Sequence, residues 1–129
     1  MQTFEKLITV TQEDLDDLNH VNNVCYVQWV QDVAEQHWNS KVTQQILNSY
    51  FWVMLNHYIQ YKGQAFLNDD LILKTYVTKA EGVTSTRTVE IYNKNSGKLL
   101  TTSETNWCFM SKENNRPTRI PKEIIELFD

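Results

Sequence analysis

The sequence predicts an α+β protein in which an antiparallel sheet is covered by one main helix. Three observations carry that expectation. One helix-type run, from Val21 to about Asn39, lies early in the chain. Four long runs of strand character follow it, and two of their joints are tight turns. The chain has 129 residues, 41% hydrophobic and 22% charged, which is the size and composition of one globular domain spanning 1–129.

The first strand reads from "FEKLITVT", residues 4–11, on its β-branched content and an imperfect alternation. An acidic turn over 12–19 follows. From Val21 the period becomes helical. Gln28, Gln31, Asp32, Glu35 and Gln36 fall on one stripe at spacings of three and four, while Val24, Val27, Val30, Val33, Ala34 and Trp38 occupy much of the rest. So narrow a polar stripe predicts a helix largely covered by other elements. "VTQQILNSY", 42–50, predicts a second, short helix with Thr43 as its N-cap.

From Tyr50 the period changes to two. Residues 50–61 place Phe51, Val53, Leu55, His57, Ile59 and Tyr61 on one face of a strand. Three more strands read from 71–80, 83–94 and 98–111. The joints "EGV" and "NSG" are hairpin turns, with Gly82 and Gly97 supplying positive φ. "IPKEIIELFD" starts a last helix with Pro121 near its first turn. A sheet of five or six strands with one main helix leaves apolar edge and face uncovered, so self-association into a homodimer or homotetramer is expected.

Several function classes recede at once. Lys and Arg number 12 against 16 Asp and Glu, a formal charge of −4, which argues against a nucleic-acid partner. No run approaches the roughly 18 apolar residues of a membrane span, so no membrane insertion is expected. "MQTFEKLITV" lacks the basic and apolar regions of a signal peptide. Cys25 and Cys108 lie inside apolar runs and read as buried free thiols of a reducing compartment. A soluble cytoplasmic protein is expected.

The informative stretch is "QEDLDDLNHVNNVCYVQWVQ", residues 12–31. It sets Glu13, Asp14, Asp16 and Asp17, then His20, Asn22 and Asn23, against the mouth of the main helix. Capping explains part of this, because Asn and Asp satisfy the free amides of a helix start. Capping alone does not require the imidazole.

"DLDDLNHVNNVCYVQW" resembles the signature of the hotdog-fold thioesterases, the 4-hydroxybenzoyl-CoA thioesterase and acyl-CoA thioester hydrolase group. Asp14, Asp16, His20, Val21, Asn22, Asn23 and Tyr26 stand in register with it. Asp14, Leu15, Asp16, Val24 and Trp29 also match the related motif of plant acyl-ACP thioesterases. The resemblance extends more loosely over nearly the whole chain. "IQYKGQAFLNDDLIL" is similar to the family's strand, turn and strand after the helix, and the element order agrees.

The resemblance implies a hotdog fold, with the sheet wrapped around one central helix, and hydrolysis of acyl thioesters, with acyl-CoA as the expected substrate and acyl-ACP as the rival carrier. It implies Asp16 as the nucleophile or general base. A thiolate is a good leaving group, so one carboxylate and preorganised donors can suffice. Backbone amides at the helix start, that of Asn23 first, would take the oxyanion, while His20 and the Asn23 side chain would orient the carbonyl or a water. Asn22, Tyr26 and Gln64 are expected along the substrate. No cofactor and no metal is expected.

Two departures separate this chain from the plant enzymes. Leu18 stands where they have Asn, and Gln64 where they have a catalytic Glu; Gln cannot act as a base. Asn19 precedes His20 where the family often has Gly, and Asn tolerates left-handed backbone. The bland readings stand beside the sharp ones. Asp14 and Asp17 read as turn or capping residues, Tyr26 and Trp29 as core or pocket lining, and His57 as a core or interface histidine. Cys25 reads as structural, since nothing basic is placed to activate it. Lys112, Arg116, Arg119, Lys122 and Arg87 read as a solvated basic face before they read as partners of CoA phosphates. Two rival functions remain: a non-catalytic acyl-CoA or lipid binder, and a hotdog dehydratase, whose His-Phe-Pro type motif this chain lacks.

Overall fold

The computed structural model describes residues 1–129. The order is β1 (Thr3–Thr9), α1 (Asn23–Lys41), α2 (Gln44–Ser49), β2 (Tyr50–Tyr61), β3 (Asp70–Glu81), β4 (Thr84–Asn93), β5 (Leu99–Ser111), β6 (Arg116–Pro117) and α3 (Lys122–Leu127). The strands form one six-stranded antiparallel sheet in the order β1-β3-β4-β5-β2, with β6 added beside β5. α1 packs on that sheet, and the α+β expectation of five or six strands around one main helix is met.

α1 begins two residues later than periodicity suggests. Asn22 is extended (φ −64°, ψ 135°) and its side chain accepts from the Val24 amide at 3.0 Å, which makes it the N-cap. Thr43 caps α2 as expected, accepting from the Ile46 amide at 3.3 Å. Gly82 and Gly97 have φ of 62° and 73° in the two hairpin turns. One expected member of the buried face fails: Val24 is 71% exposed, although Val21 and Tyr26 on either side of it are buried.

The core has two parts. Around the N-terminal half of α1, Val21, Tyr26, Val30 and Val33 pack on Leu71, Leu73, Val89, Ile91 and Leu100. Each of these side chains adds about 1.5–3 kcal/mol on burial. Around the C-terminal half, Trp38 packs with Phe109, Ile120, Ile124 and Phe128, an aromatic-rich cluster that α3 closes.

Strand β2 departs from simple alternation. A bulge between Met54 and Asn56 inserts one residue against β5. Side chains on either side of a bulge therefore exchange faces. Trp52 turns inward onto Trp38 and Ile59 inward onto the main core, whereas Val53 and Leu55 are exposed. The expected single face of Phe51, Val53, Leu55, His57, Ile59 and Tyr61 is thus split between the two sides. His57 is half-buried and its Nε2 has no hydrogen-bond partner. Burial pushes its pKa down.

Arg87 is the largest correction. It belongs to no solvated basic face: it is 7% exposed and points into the sheet–helix layer. Its Nη1 lies 2.9 Å from His37 Nδ1 and donates to Thr75 Oγ1 at 3.0 Å. A guanidinium only donates, so Nδ1 accepts and the His37 proton sits on Nε2, facing Gln2 Oε1 at 3.4 Å. Burial, then the charges of Arg87 and Lys41, pushes the His37 pKa down to about 4.

The segment between β2 and β3 is no hairpin, because β2 pairs with β5 at one edge while β3 lies between β1 and β4. The crossing chain is tied down as it leaves β2: the amides of Lys62 and Gly63 both donate to the Leu100 carbonyl, at 2.7 and 3.1 Å. It then passes beneath the mouth of α1.

Candidate active site

The motif folds locally into a tight turn. Leu15 and Val21 form an isolated antiparallel bridge, and between them the Asp16 amide donates to the His20 carbonyl at 2.8 Å. The Asn19 amide donates to the Asp16 carbonyl at 3.1 Å, with Asn19 at φ 62°. That left-handed residue is the one the sequence placed where relatives use Gly, and Asn carries it at small cost. Asp16 Oδ1 accepts from the amides of Leu18 (2.9 Å) and His20 (3.1 Å). Its other oxygen, Oδ2, has no hydrogen-bond partner in the protein. The turn therefore orients one carboxylate oxygen by means of the other.

The turn runs directly into the mouth of α1. The Asn22 amide donates to the Asp14 carbonyl at 2.8 Å, and the Asn22 side chain is engaged as the cap. The Cys25 amide donates to the Asn22 carbonyl at 2.9 Å. The Asn23 amide has no acceptor, at the end of the helix where the dipole is positive. Asp14 ends a single 3-10 turn, Gln12–Asp14, and its carboxylate reaches back to accept from the amide of the N-cap Thr11 at 2.8 Å. Cys25 is half-buried, and burial followed by the Asp14 charge pushes its thiol pKa up, which keeps it from acting as a thiolate.

The crossing segment supplies the opposite wall. The Val21 amide donates to the Ala65 carbonyl at 3.2 Å, and the Ala65 amide donates to the Tyr26 hydroxyl at 3.0 Å. Tyr26 is 2% exposed, and burial pushes its pKa up. Its hydroxyl joins the helix to the segment and has its hydrogen bond there. The His20 ring meets Phe66 edge-on at 5.5 Å.

These pieces enclose a hollow of about 470 Å³. Asp16, His20, Asn22, Asn23, Tyr26 and Gln64 all line it, so the structure brings together every expected site residue. Leu18, Tyr61 and Gly63 line it as well and were not expected there as contacts. Gly63 carried a usable signal. It is the one glycine of three outside a hairpin turn, and a Cβ there would meet Leu100 and Lys98 side-chain carbons at 3.1 Å. Tyr61 had no such signal, since its inward direction depends on the bulge. No Lys or Arg lines the hollow. No group of three or more His, Cys, Asp or Glu is arranged to hold a metal ion, and no helix is long and apolar enough to cross a membrane.

Chemically, the hollow offers an open carboxylate oxygen, a free helix-start amide and an imidazole on one rim. That set can activate a nucleophile and stabilise negative charge developing on a carbonyl oxygen.

A family model described as the thioesterase-like superfamily matches residues 10–128. No curated protein matches the chain. Solved structures match over nearly its full length. One is a Staphylococcus aureus protein in complex with CoA, with 20% identity and a TM-score of 0.89, covering 98% of this chain and 81% of that one. Another is a 1,4-dihydroxy-2-naphthoyl-CoA thioesterase from Synechocystis, with 18% identity and a TM-score of 0.85, covering 98% and 96%. A third is an aspartate-to-asparagine mutant of 4-hydroxybenzoyl-CoA thioesterase complexed with 4-hydroxybenzoyl-CoA, with 12% identity and a TM-score of 0.87, covering 100% of both chains. The hotdog arrangement of sheet and helix is shared with these structures.

Proposed function

The chain belongs to the thioesterase-like superfamily, and from that premise we propose that it hydrolyses acyl thioesters, with acyl-CoA as the substrate. The observation that carries this reading is the pairing of the open Asp16 oxygen with the unpartnered Asn23 amide across one hollow. Relatives complexed with CoA and with an aroyl-CoA support acyl-CoA as the carrier.

In this reading the thioester carbonyl oxygen points at the Asn23 amide. Asp16 Oδ2 takes a proton from water as the water oxygen attacks the carbonyl carbon. The tetrahedral oxyanion is held by the helix mouth, the C–S bond then breaks, and the CoA thiolate leaves and takes up the proton. Direct attack by Asp16, followed by hydrolysis of the anhydride, uses the same geometry. His20 orients the substrate from the rim, and Asn22, Tyr26 and Gln64 form the walls. Gln64 acts as a hydrogen-bonding wall, which leaves Asp16 as the base.

The quaternary state we favour is a homodimer or homotetramer. β2 is an edge strand with Val53, Leu55 and Tyr58 exposed, a long unpaired edge that a second copy would cover. The free state of Cys25 and Cys108 supports a cytoplasmic location.

The test is thiol release from a panel of acyl-CoA esters, repeated with Asp16→Asn and with acyl-ACP of matched chain length. Asn keeps an Oδ1 that can accept from the Leu18 and His20 amides, so the turn and the melting temperature should persist. Turnover should fall about 100-fold or more. An Asp16→Asn protein as active as the parent would remove Asp16 from the mechanism. Tight acyl-CoA binding without thiol release would make the chain a binder instead, and faster release from acyl-ACP would change the carrier.

A further inference from the structure

A second cavity, of about 530 Å³, opens at the other end of α1. By helix rise, Trp38 lies about 22 Å along the axis from Asn23. α1 and β2 supply Trp38 and Trp52, β5 supplies Trp107, α3 supplies Ile124, and Phe128 follows directly after α3. Most of the lining is hydrophobic. Into this apolar space faces Arg87, 7% exposed.

The Arg87 charge has no counter-ion. The ion pairs of the structure are Lys79–Glu81 and Lys122–Glu126, both on the surface. The protein hydrogen bonds of the guanidinium both come from Nη1, to His37 and Thr75. His37 accepts as a neutral imidazole and cancels no charge. Nη2 and Nε have no protein partner, and the Phe128 ring, 5.9 Å from Cζ, offers only its π-face. Burying a guanidinium costs several kcal/mol unless an anion answers it. Glu35 on the rim makes no ion pair with Arg87. Lys112, also on the rim, adds a second positive charge there while donating to the Leu47 carbonyl at 2.6 Å.

We propose that this cavity is a binding site for an apolar monocarboxylate, its carboxylate on the free fork of Arg87 and its alkyl or aryl body among Trp38, Trp52 and Phe128. Two free N–H directions of a planar guanidinium match the two oxygens of a carboxylate. On the rim the charges of Glu35 and Lys112 offset each other, so the uncompensated charge of the cavity is the one on Arg87, which favours a monocarboxylate over a doubly charged phosphate. The aromatic walls reward an apolar body over a bare ion. The site is separate from the hollow at Asp16 and does not depend on the activity proposed there.

The experiment titrates the full-length protein with octanoate and 2-naphthoate, with octanamide and 2-naphthamide as neutral isosteres, and with inorganic phosphate. Binding is read by calorimetry and by the indole N–H resonances. Trp38, Trp52 and Trp107 line the cavity, while Trp29 packs on Tyr26 beside the other hollow, so the indoles report which site fills. The carboxylates should bind about tenfold or more tighter than their amides, shifting the three cavity indoles and leaving Trp29 in place. Phosphate should not compete. Arg87→Gln should erase the preference for acid over amide. Should that variant melt early, Ile125→Trp fills the cavity rim without touching Arg87, and carboxylate affinity should again fall about tenfold. Equal affinity for acid and amide, displacement by phosphate, a shift at Trp29 alone, or unchanged affinity in Ile125→Trp would each overturn the assignment.

Discussion

The two ends of α1 solve opposite electrostatic problems. At the N-terminal mouth, Asp14, Asp16 and Asp17 crowd an open polar rim, and the groups that matter are placed by backbone bonds within a few residues. At the C-terminal half, one cation lies inside an aromatic layer, placed by strands and helices distant in sequence. The contrast teaches where each end is vulnerable. Changes at the mouth should alter turnover more than stability. Changes at the far end should alter stability more than turnover.

Trp38→Ala should have the largest effect on stability. Trp38 touches Trp52, Phe109 and Phe128, and its truncation should cost about 3–5 kcal/mol, read as a lower denaturant midpoint. A variant that instead lost turnover at unchanged stability would break the contrast.

Acid should loosen the same end first. The folded-state pKa of His37 is depressed to about 4 from 6.5. The unfolded chain therefore binds the proton more readily, and stability is lost as pH falls from about 6.5 through about 4. His57, depressed in the same direction by burial, adds to the slope. About 3 kcal/mol should disappear over that window. A melting temperature flat from pH 7 to pH 4 would contradict a neutral buried His37, and His37→Gln should flatten the slope.

At the mouth, Tyr26→Phe removes the acceptor of the Ala65 amide and should cost about 1–3 kcal/mol. Because that bond fixes the wall carrying Gln64, KM should rise as well; an unchanged KM would detach the crossing segment from substrate binding. Asn22→Ala should be the mildest. It removes the cap on Val24 and should cost about 1 kcal/mol, with a modest loss of turnover as the helix mouth frays.

The legible parts of the site share a property: their contacts are short-range. Asp16, Asn19, His20 and Asn22 lie within seven positions, and the turn and cap that arrange them are bonds between near neighbours. A motif can carry such a site because the backbone alone closes it. Gln64 was reached only through resemblance, and Tyr61 not at all. Both arrive from across the sheet, and the direction of Tyr61 turns on the bulge at Met54 and Asn56, where a strictly alternating pattern misleads. Arg87 misled for a related reason. A strand reads as alternating polar and apolar, and an arginine among Thr and Ser residues looks solvated until the partners on β3 and α1 are in place.

By itself, then, the sequence determined the α+β class, the main helix, its polar mouth, the hairpin turns at Gly82 and Gly97, and the carboxylate at that mouth, because periodicity, caps and turns act over a few residues. The tertiary structure alone decided the strand order β1-β3-β4-β5-β2, the exchange of faces along β2 and the burial of the Arg87 charge. Each of these is settled by contacts between segments far apart in the chain, and no local pattern encodes which distant segment will arrive.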